Sequence, residues 1–284
     1  MKQLFNITIE PTVEAGQQVL ALCIGEKYCS FAVTAKSGNR LHRLGYFTHE
    51  NMDAGFLSEL FSSQGLQDTT FAQVNIHFDS PHSVLVPLKY HQKNNRELFL
   101  RVMNGISGDN EIISESIPEW QLYNVFSVPE NVSGFLKLRF PSVKYNHLYS
   151  TLIRTAHLNV PEGSIIVEFR EGEFSVIVFK ENKILLAQTF NYSNPADVVY
   201  HLLNICRHFS MSQSGIELQV AGLIEEQSTL YKELYQYFLR VTFRTAPDWG
   251  VIVSGENKYP AHYFATLNEL VKCGSYQVST VVER

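Results

Sequence analysis

Basic excess, long apolar runs, paired cysteines and catalytic signatures are all missing from this chain, and each absence removes a class of function. With 23 Lys and Arg against 28 Asp and Glu, the formal net charge is −5. No surplus of positive charge exists to neutralise phosphates, which argues against a general nucleic-acid or anionic-membrane binder. No apolar run approaches the roughly 20 residues that span a bilayer. The opening Met1-Lys2-Gln3-Leu4-Phe5-Asn6 is broken by polar residues too early for a signal peptide, so the expectation is a cytoplasmic protein. Cys23, Cys29, Cys206 and Cys273 form no CxxC pair and sit among small, mostly apolar neighbours. They read as buried free thiols, not as a zinc site or disulfide framework. The sequence holds no GxSxG, HExxH or P-loop, and its ten histidines follow no metal-ligand spacing.

What the chain does contain is β-rich and repeated. Ser164 to Phe190 shows three apolar runs separated by the turns Arg170-Glu171-Gly172 and Lys180-Glu181-Asn182-Lys183, the pattern of an antiparallel meander. Slid by 145 positions, Leu22 to Val33 (LCIGEKYCSFAV) falls on Val167 to Val178 (VEFREGEFSVIV). Identities are few, Ser30 over Ser175 among them, but the order of apolar strand, polar turn, strand, basic turn and strand survives. Two structurally related lobes account for this; two unrelated hairpins of ordinary composition are the plainer alternative.

A strand ending in a carboxylate, then a glycine turn and two further strands, resembles the phosphate-binding hairpin of the actin-like ATPase superfamily. Val74 to Pro87 (VNIHFDSPHSVLVP), followed by a polar helix start, is similar to its pilus-assembly and cell-division branches. As a whole the chain most resembles a bacterial family of unknown function assigned to that fold. The resemblance implies an α/β protein with mixed sheets and two ribonuclease-H-like lobes. Residues 1–160 would form the first lobe with an inserted subdomain, and 161–284 the second.

The remaining chain fits that plan. Leu4 to Ile9 is an early strand, and Asp53 opens a helix with Phe56, Leu57, Leu60 and Phe61 at helical spacing, closed by Gly65. Short strands are expected at Phe71–Phe78, Ser83–Val86, Glu111–Ile117 and Trp120–Val128, and helices at Arg96–Met103, Val132–Arg139 and Asn146–Leu158. Ser193-Asn194, Pro195 and Asp197 signal a helix start. A strand at Ile216–Leu223, a helix at Ser228–Leu239 and a last helix from near Pro260 to Gly274 follow. The tyrosine-rich run Tyr231 to Phe238 reads as a half-buried helix face; without a basic groove it is no stacking platform for bases.

In the resembling superfamily the first hairpin carries an aspartate that holds Mg²⁺ through water, then glycine and a hydroxyl residue. Here Cys23 stands at the aspartate position, a soft and usually neutral group ill suited to magnesium. Gly25 keeps the glycine, or is a simple turn residue, while Glu26 and Tyr28 add charge and bulk. The second hairpin has Glu168, with Arg170 where the family has glycine, then Gly172. Arg170 would attract an anion or crowd its path; the plain reading of Glu168, Arg170, Glu171 and Glu173 is a solvated turn. The paired glycines of the adenosine-contacting motif are reduced to Gly222 in Val220-Ala221-Gly222-Leu223. Asp79 and His82 form an acid–base pair, or an ordinary turn aspartate beside an exposed histidine.

The resemblance together with the altered positions implies a non-catalytic assembly or regulatory protein that works through an unidentified protein partner, without metal or cofactor. The alternative is an ATP- and Mg-binding ATPase or sugar-kinase-like enzyme with variant phosphate motifs. A sensor of anions or small molecules is a third reading.

Overall fold

Alternation of side chains across a pleated strand lets one face of each meander bury its apolar residues on helices while the other face carries polar ones. The computed structural model describes residues 1–9, 16–92, 95–104, 109–157, 162–246, 248–254 and 257–273. Two compact units emerge: Met1–Thr151 joined by the stretch from Leu267, and Leu152–Val253 with Asn257–Thr266.

The first unit contains β1 (Lys2–Thr8), β2 (Gln18–Gly25), β3 (Tyr28–Ala35), β4 (Leu41–Thr48), α1 (Ala54–Ser63) and β5 (Gln73–Asp79). Then come β6 (Ser83–Pro87), α2 (Arg96–Asn104), β7 (Asn110–Ile117), β8 (Leu122–Pro129), α3 (Glu130–Arg139) and β9 (Tyr145–His147). Its main sheet has the order β1-β4-β3-β2-β5-β9, and β6, β8 and β7 make a separate three-stranded sheet. Leu20, Leu22 and Ile24 of β2 and Phe31 and Val33 of β3 pack on Phe56, Leu57, Leu60 and Phe61 of α1 and on Val132 and Leu136 of α3. The side chain of Asp53 caps α1, accepting from the N–H of Phe56, and Gly65 lies just past its end with φ of +61°.

The helix α4 (Leu148–Arg154) leads into the second unit, with β10 (Ser164–Phe169), β11 (Glu173–Lys180), β12 (Lys183–Asn191), α5 (Pro195–His208), β13 (Glu217–Gly222), α6 (Thr229–Tyr237) and β14 (Val241–Phe243). Their sheet order is β12-β11-β10-β13-β14. A small pair, β15 (Ile252–Ser254) and β16 (Asn257–Tyr259), precedes α7 (Ala265–Cys273). Ile165, Val167 and Phe169 pack with Val198 and Leu202 of α5 and Leu230 and Leu234 of α6.

Leaving β1 aside, both main sheets run third, second, first, fourth, fifth, with the first three strands antiparallel and the last two parallel to the first. Register repeats as well. Cys23 faces Ser30 as Glu168 faces Ser175, and a bulge follows Val33 on one ribbon and Val178 on the other. The chain is therefore an α/β protein with two ribonuclease-H-like lobes. Between its fourth and fifth strands the first lobe carries the extra sheet, α2 and α3, where the second has α6.

Some elements differ from expectation. The helix expected over Asn146–Leu158 begins as β9, because Tyr145, Asn146 and His147 pair in parallel with Ile76, His77 and Phe78. Three residues are too few to show an alternating pattern. Pro11, Gly105–Gly108, Leu158–Pro161 and Gly274 lie outside the described residues, and with them the expected lobe boundary between 160 and 161. The buried Asn75 side chain donates to the carbonyls of Leu270 (3.1 Å) and Val271 (3.0 Å), giving partners to acceptors that α7 leaves open at its end. Among the described residues no helix is long and apolar enough to cross a membrane.

The start of α5 is a capping box: Asn194 accepts from the N–H of Asp197, and Asp197 accepts from the N–H groups of Ser193 and Asn194. Asn194→Ala should cost about 1 kcal/mol in urea unfolding. The N–H of Ser193, foremost, holds the Asp197 carboxyl below its ordinary 3.8, so this carboxylate stabilises the fold above that pH and less as pH falls through its folded value. Asp197→Asn should accordingly flatten the acid limb of the stability profile; an unchanged limb would remove the box from the account.

Candidate functional site

Cys23 and Gly25, two apart on β2, share the face opposite Leu22 and Ile24. Ser30 lies across from Cys23 on β3, Tyr46 across from Ser30 on β4, and Asp79 beside Gly25 on β5. Tyr28, two residues before Ser30, joins the same face. Its ring lies so close to Gly25 that a Cβ there would come within 2.2 Å of it. Glycine is thus required by an aromatic ring of its own hairpin. The ring also stacks on Tyr46, with centroids 5.2 Å apart.

The phenol of Tyr28 donates to Oδ2 of Asp79 at 2.6 Å, and Cys23 Sγ lies 3.3 Å from the same phenol oxygen. Since the phenol proton points to the carboxylate, the thiol is left to donate to the phenol oxygen. A protonated, donating thiol is no magnesium ligand. Asp79, with 4% of its surface exposed, is the buried last residue of β5. This corrects its reading as an ordinary turn aspartate. His82 lies near Glu26, 3.7 Å away.

The second ribbon has the same geometry with different chemistry. Glu168 and Arg170 are 7% and 4% exposed, so the expectation of a solvated turn fails for both, whereas Glu171 is exposed and Glu173 half-buried. Arg170 donates through Nε to Glu173 (2.7 Å) and through its terminal nitrogen to Ser175 Oγ (2.8 Å), which lies 2.7 Å from Thr189 Oγ1. Its own carbonyl accepts from the Tyr192 phenol at 3.1 Å. Burial foremost raises the pKa of that phenol, keeping it a donor. Arg244 approaches Glu168 at 4.0 Å. Gly172, with φ of +76°, makes the turn. Gly222 has φ of +82°, and a Cβ there would meet the carbonyl oxygen of Phe169 at 2.2 Å, so strand packing alone requires glycine.

The fold therefore gathers Cys23 and Gly25 in one cluster, and Glu168, Arg170, Gly172 and Gly222 around the other hairpin. Sequence reasoning missed Tyr28 as the organiser of the first and Ser175, Thr189 and Arg244 as partners in the second. The 145-residue offset marked Ser30 and Ser175, and the tie of Ser175 to Arg170 follows from the pairing of β10 and β11, which brings Ser175 beside the turn that Arg170 opens. Burial pushes the Cys29 thiol up to about 12 and Cys206 up to about 11, so neither is a nucleophile near neutral pH. Among the described residues no group of three or more His, Cys, Asp or Glu could hold a metal ion.

Two substitutions test the first cluster. Tyr28→Phe removes a hydrogen bond to a buried carboxylate and should cost about 1.5–3 kcal/mol in urea unfolding. Gly25→Ala drives a methyl into the Tyr28 ring and should cost about 1–3 kcal/mol. In combination with Tyr28→Ala, which removes the ring, the Gly25→Ala penalty should shrink; simple additivity would show that the ring is not what requires glycine.

Residues 9–241 match the protein family described as "Protein of unknown function (DUF3822)". No curated protein matches the chain. Among solved structures, a Bacteroides thetaiotaomicron protein with actin-like ATPase fold and unknown function superimposes with a TM-score of 0.74 at 17% identity, over 91% of this chain and 97% of that one. A chain of the PilM-PilN type IV pilus biogenesis complex gives a TM-score of 0.55 at 12% identity, over 93% of this chain and 99% of that one. At such identities the likeness shows the fold, and the fold is that of actin-like ATPases. With its matched stretch running through both meanders, the chain belongs to the DUF3822 family of proteins of unknown function.

Proposed function

We propose that this protein is a non-catalytic member of the actin-like fold, serving assembly or regulation in the cytoplasm through contact with a protein partner. Residues 1–160, with their inserted subdomain, act as the first lobe and 161–284 as the second, the stretch from Leu267 returning to the first. The observation that carries the reading is the closure of both hairpins on themselves. Tyr28 covers Gly25 and binds Asp79, and the Arg170 guanidinium is taken up by Glu173 and Ser175. In this reading Cys23, Gly25, Glu168, Arg170, Gly172 and Gly222 are remnants of a nucleotide site. A phosphate arriving there would have to displace buried, charge-assisted bonds, each roughly twice as strong as a neutral one. The likeness to a chain of the PilM-PilN complex supports a role in protein contacts. The net charge of −5 supports a partner other than nucleic acid.

One observation favours an ATP-binding enzyme with variant motifs instead: Asp79, the register partner of Gly25, places a carboxylate beside the hairpin that lost its own at Cys23. Calorimetry with Mg-ATP and a phosphate-release assay separate the two. No binding at micromolar nucleotide and no release are expected. Micromolar affinity with turnover abolished by Glu168→Gln or Asp79→Asn would overturn the non-catalytic reading.

A further inference from the structure

The repeat that relates the two lobes is broken at one sheet edge. In the first lobe β1 lies antiparallel on the outer side of β4, pairing Thr8 with Arg43, Ile7 with Leu44 and, at its other end, Lys2 with Thr48. Tyr46 stands opposite Ser30 as Thr189 stands opposite Ser175, so residues 186–191 of β12 are the stretch equivalent to residues 43–48. Among the described residues no strand lies beyond β12, which ends its sheet. The N–H of Tyr192 donates to the carbonyl of Gly172 at 2.9 Å, and an antiparallel ladder alternates from there. Leu186, Gln188 and Phe190 therefore direct their backbone groups to β11, whereas Ala187, Thr189 and Asn191 direct theirs to the outer side. From 184 to 191 this edge bears neither a charge nor a proline, two usual guards against a further strand. A bulge, a third guard, falls at Leu185, before residues 186–191, as the matching bulge of β4 falls at His42, before the residues that β1 pairs.

We propose that a second copy of this chain fills the place that β1 holds in the first lobe, the two β12 edges pairing antiparallel about a twofold axis at Gln188. In this register Leu186 lies opposite the partner's Phe190, on the face where both residues are half-buried against the apolar core of the second unit. Side chains approach most closely at non-hydrogen-bonded pairs of this kind, where apolar contact gains most. Ala187 lies opposite the partner's Thr189, and that pair supplies ladder bonds from backbone groups alone, leaving the Thr189 hydroxyl beside Ser175. Gln188 is exposed and meets its own copy, and a primary amide both donates and accepts. Self-complementarity favours a copy over an unlike strand. Every pairing from 186 to 190 is apolar with apolar, small with hydroxyl, or amide with amide, and Lys183, the one charge of β12, falls outside the paired stretch. A charged strand would find no counter-charge there. The interface uses no residue of the remnant nucleotide site, so it stands apart from the nucleotide question.

Sedimentation equilibrium of the full chain at micromolar to millimolar concentrations tests it, and a reversible monomer–dimer equilibrium is expected. Gln188→Lys sets two like charges across the axis and should weaken the dimer about tenfold or more, as should Gln188→Glu. Mixed in equal amounts, the two variants should recover a dimer at least as tight as that of the unaltered chain, since lysine then faces glutamate. Because Gln188 is exposed, each variant should keep the circular dichroism and urea midpoint of the unaltered chain, which separates a lost interface from a lost fold. A monomer throughout the range, or a dimer indifferent to both substitutions, would overturn the proposal. Weakening in both variants without recovery in the mixture would give the edge to an asymmetric strand, from this chain or another, and would overturn it as well.

Discussion

Everything at the two hairpins follows from the requirement that one face of each first strand be buried. Leu20, Leu22 and Ile24, and their counterparts Ile165, Val167 and Phe169, sit in apolar cores with 3% or less of their surface exposed. Burying each side chain of this size is worth about 1.5–3 kcal/mol. A one-residue slip of either strand would exchange that face for the one bearing Cys23 and Gly25, or Glu168 and Arg170. Register is therefore held by the core, and the opposite face receives its residues at fixed places. This is how Ser30 and Ser175 come to stand at equivalent points of the two ribbons with few identities around them.

With geometry held constant, the two lobes use that face in contrasting ways. The first stacks Tyr28 on Tyr46 and runs a short donor chain from thiol to phenol to carboxylate. The second spreads an arginine over a carboxylate and the Ser175 hydroxyl, which in turn bonds that of Thr189. Both give buried polar side chains such as Asp79 and Arg170 hydrogen-bond partners, which lowers the cost of holding them in a low-dielectric interior. An added ligand would compete with partners already in place. Removing Tyr28 would take from Asp79 the phenol that donates to it at 2.6 Å.

The meanders, the repeat and the caps of α1 and α5 were legible because they are local: alternation, turn residues and capping side chains act within a few positions. Asp79 was misread because Asp-Ser-Pro-His has turn composition, and only the parallel partner β2 reveals that the strand continues through it. Arg170 was misread for a similar reason. A charged residue in a three-residue turn looks solvated until Ser175 and Glu173, brought alongside by strand pairing, take up its donors. The link from Asn75 to the last carbonyls of α7 joins residues almost two hundred positions apart, and no local pattern foretells it.

Repetition also shows where the lobes parted. The register that sets Cys23 beside His77 sets Glu168 beside Ala221, so Asp79 corresponds to Leu223 in the second lobe. A carboxylate occupies this strand end only in the lobe where β6, β7 and β8 were added, and the added sheet supplies Asn110, Ser127 and Val128 to the cavity that Asp79 lines. A buried aspartate is costly in an apolar surrounding. Tyr28 offsets part of that cost by donating its phenol proton to the carboxylate. The extra sheet and the aspartate thus meet at one cavity of the first lobe.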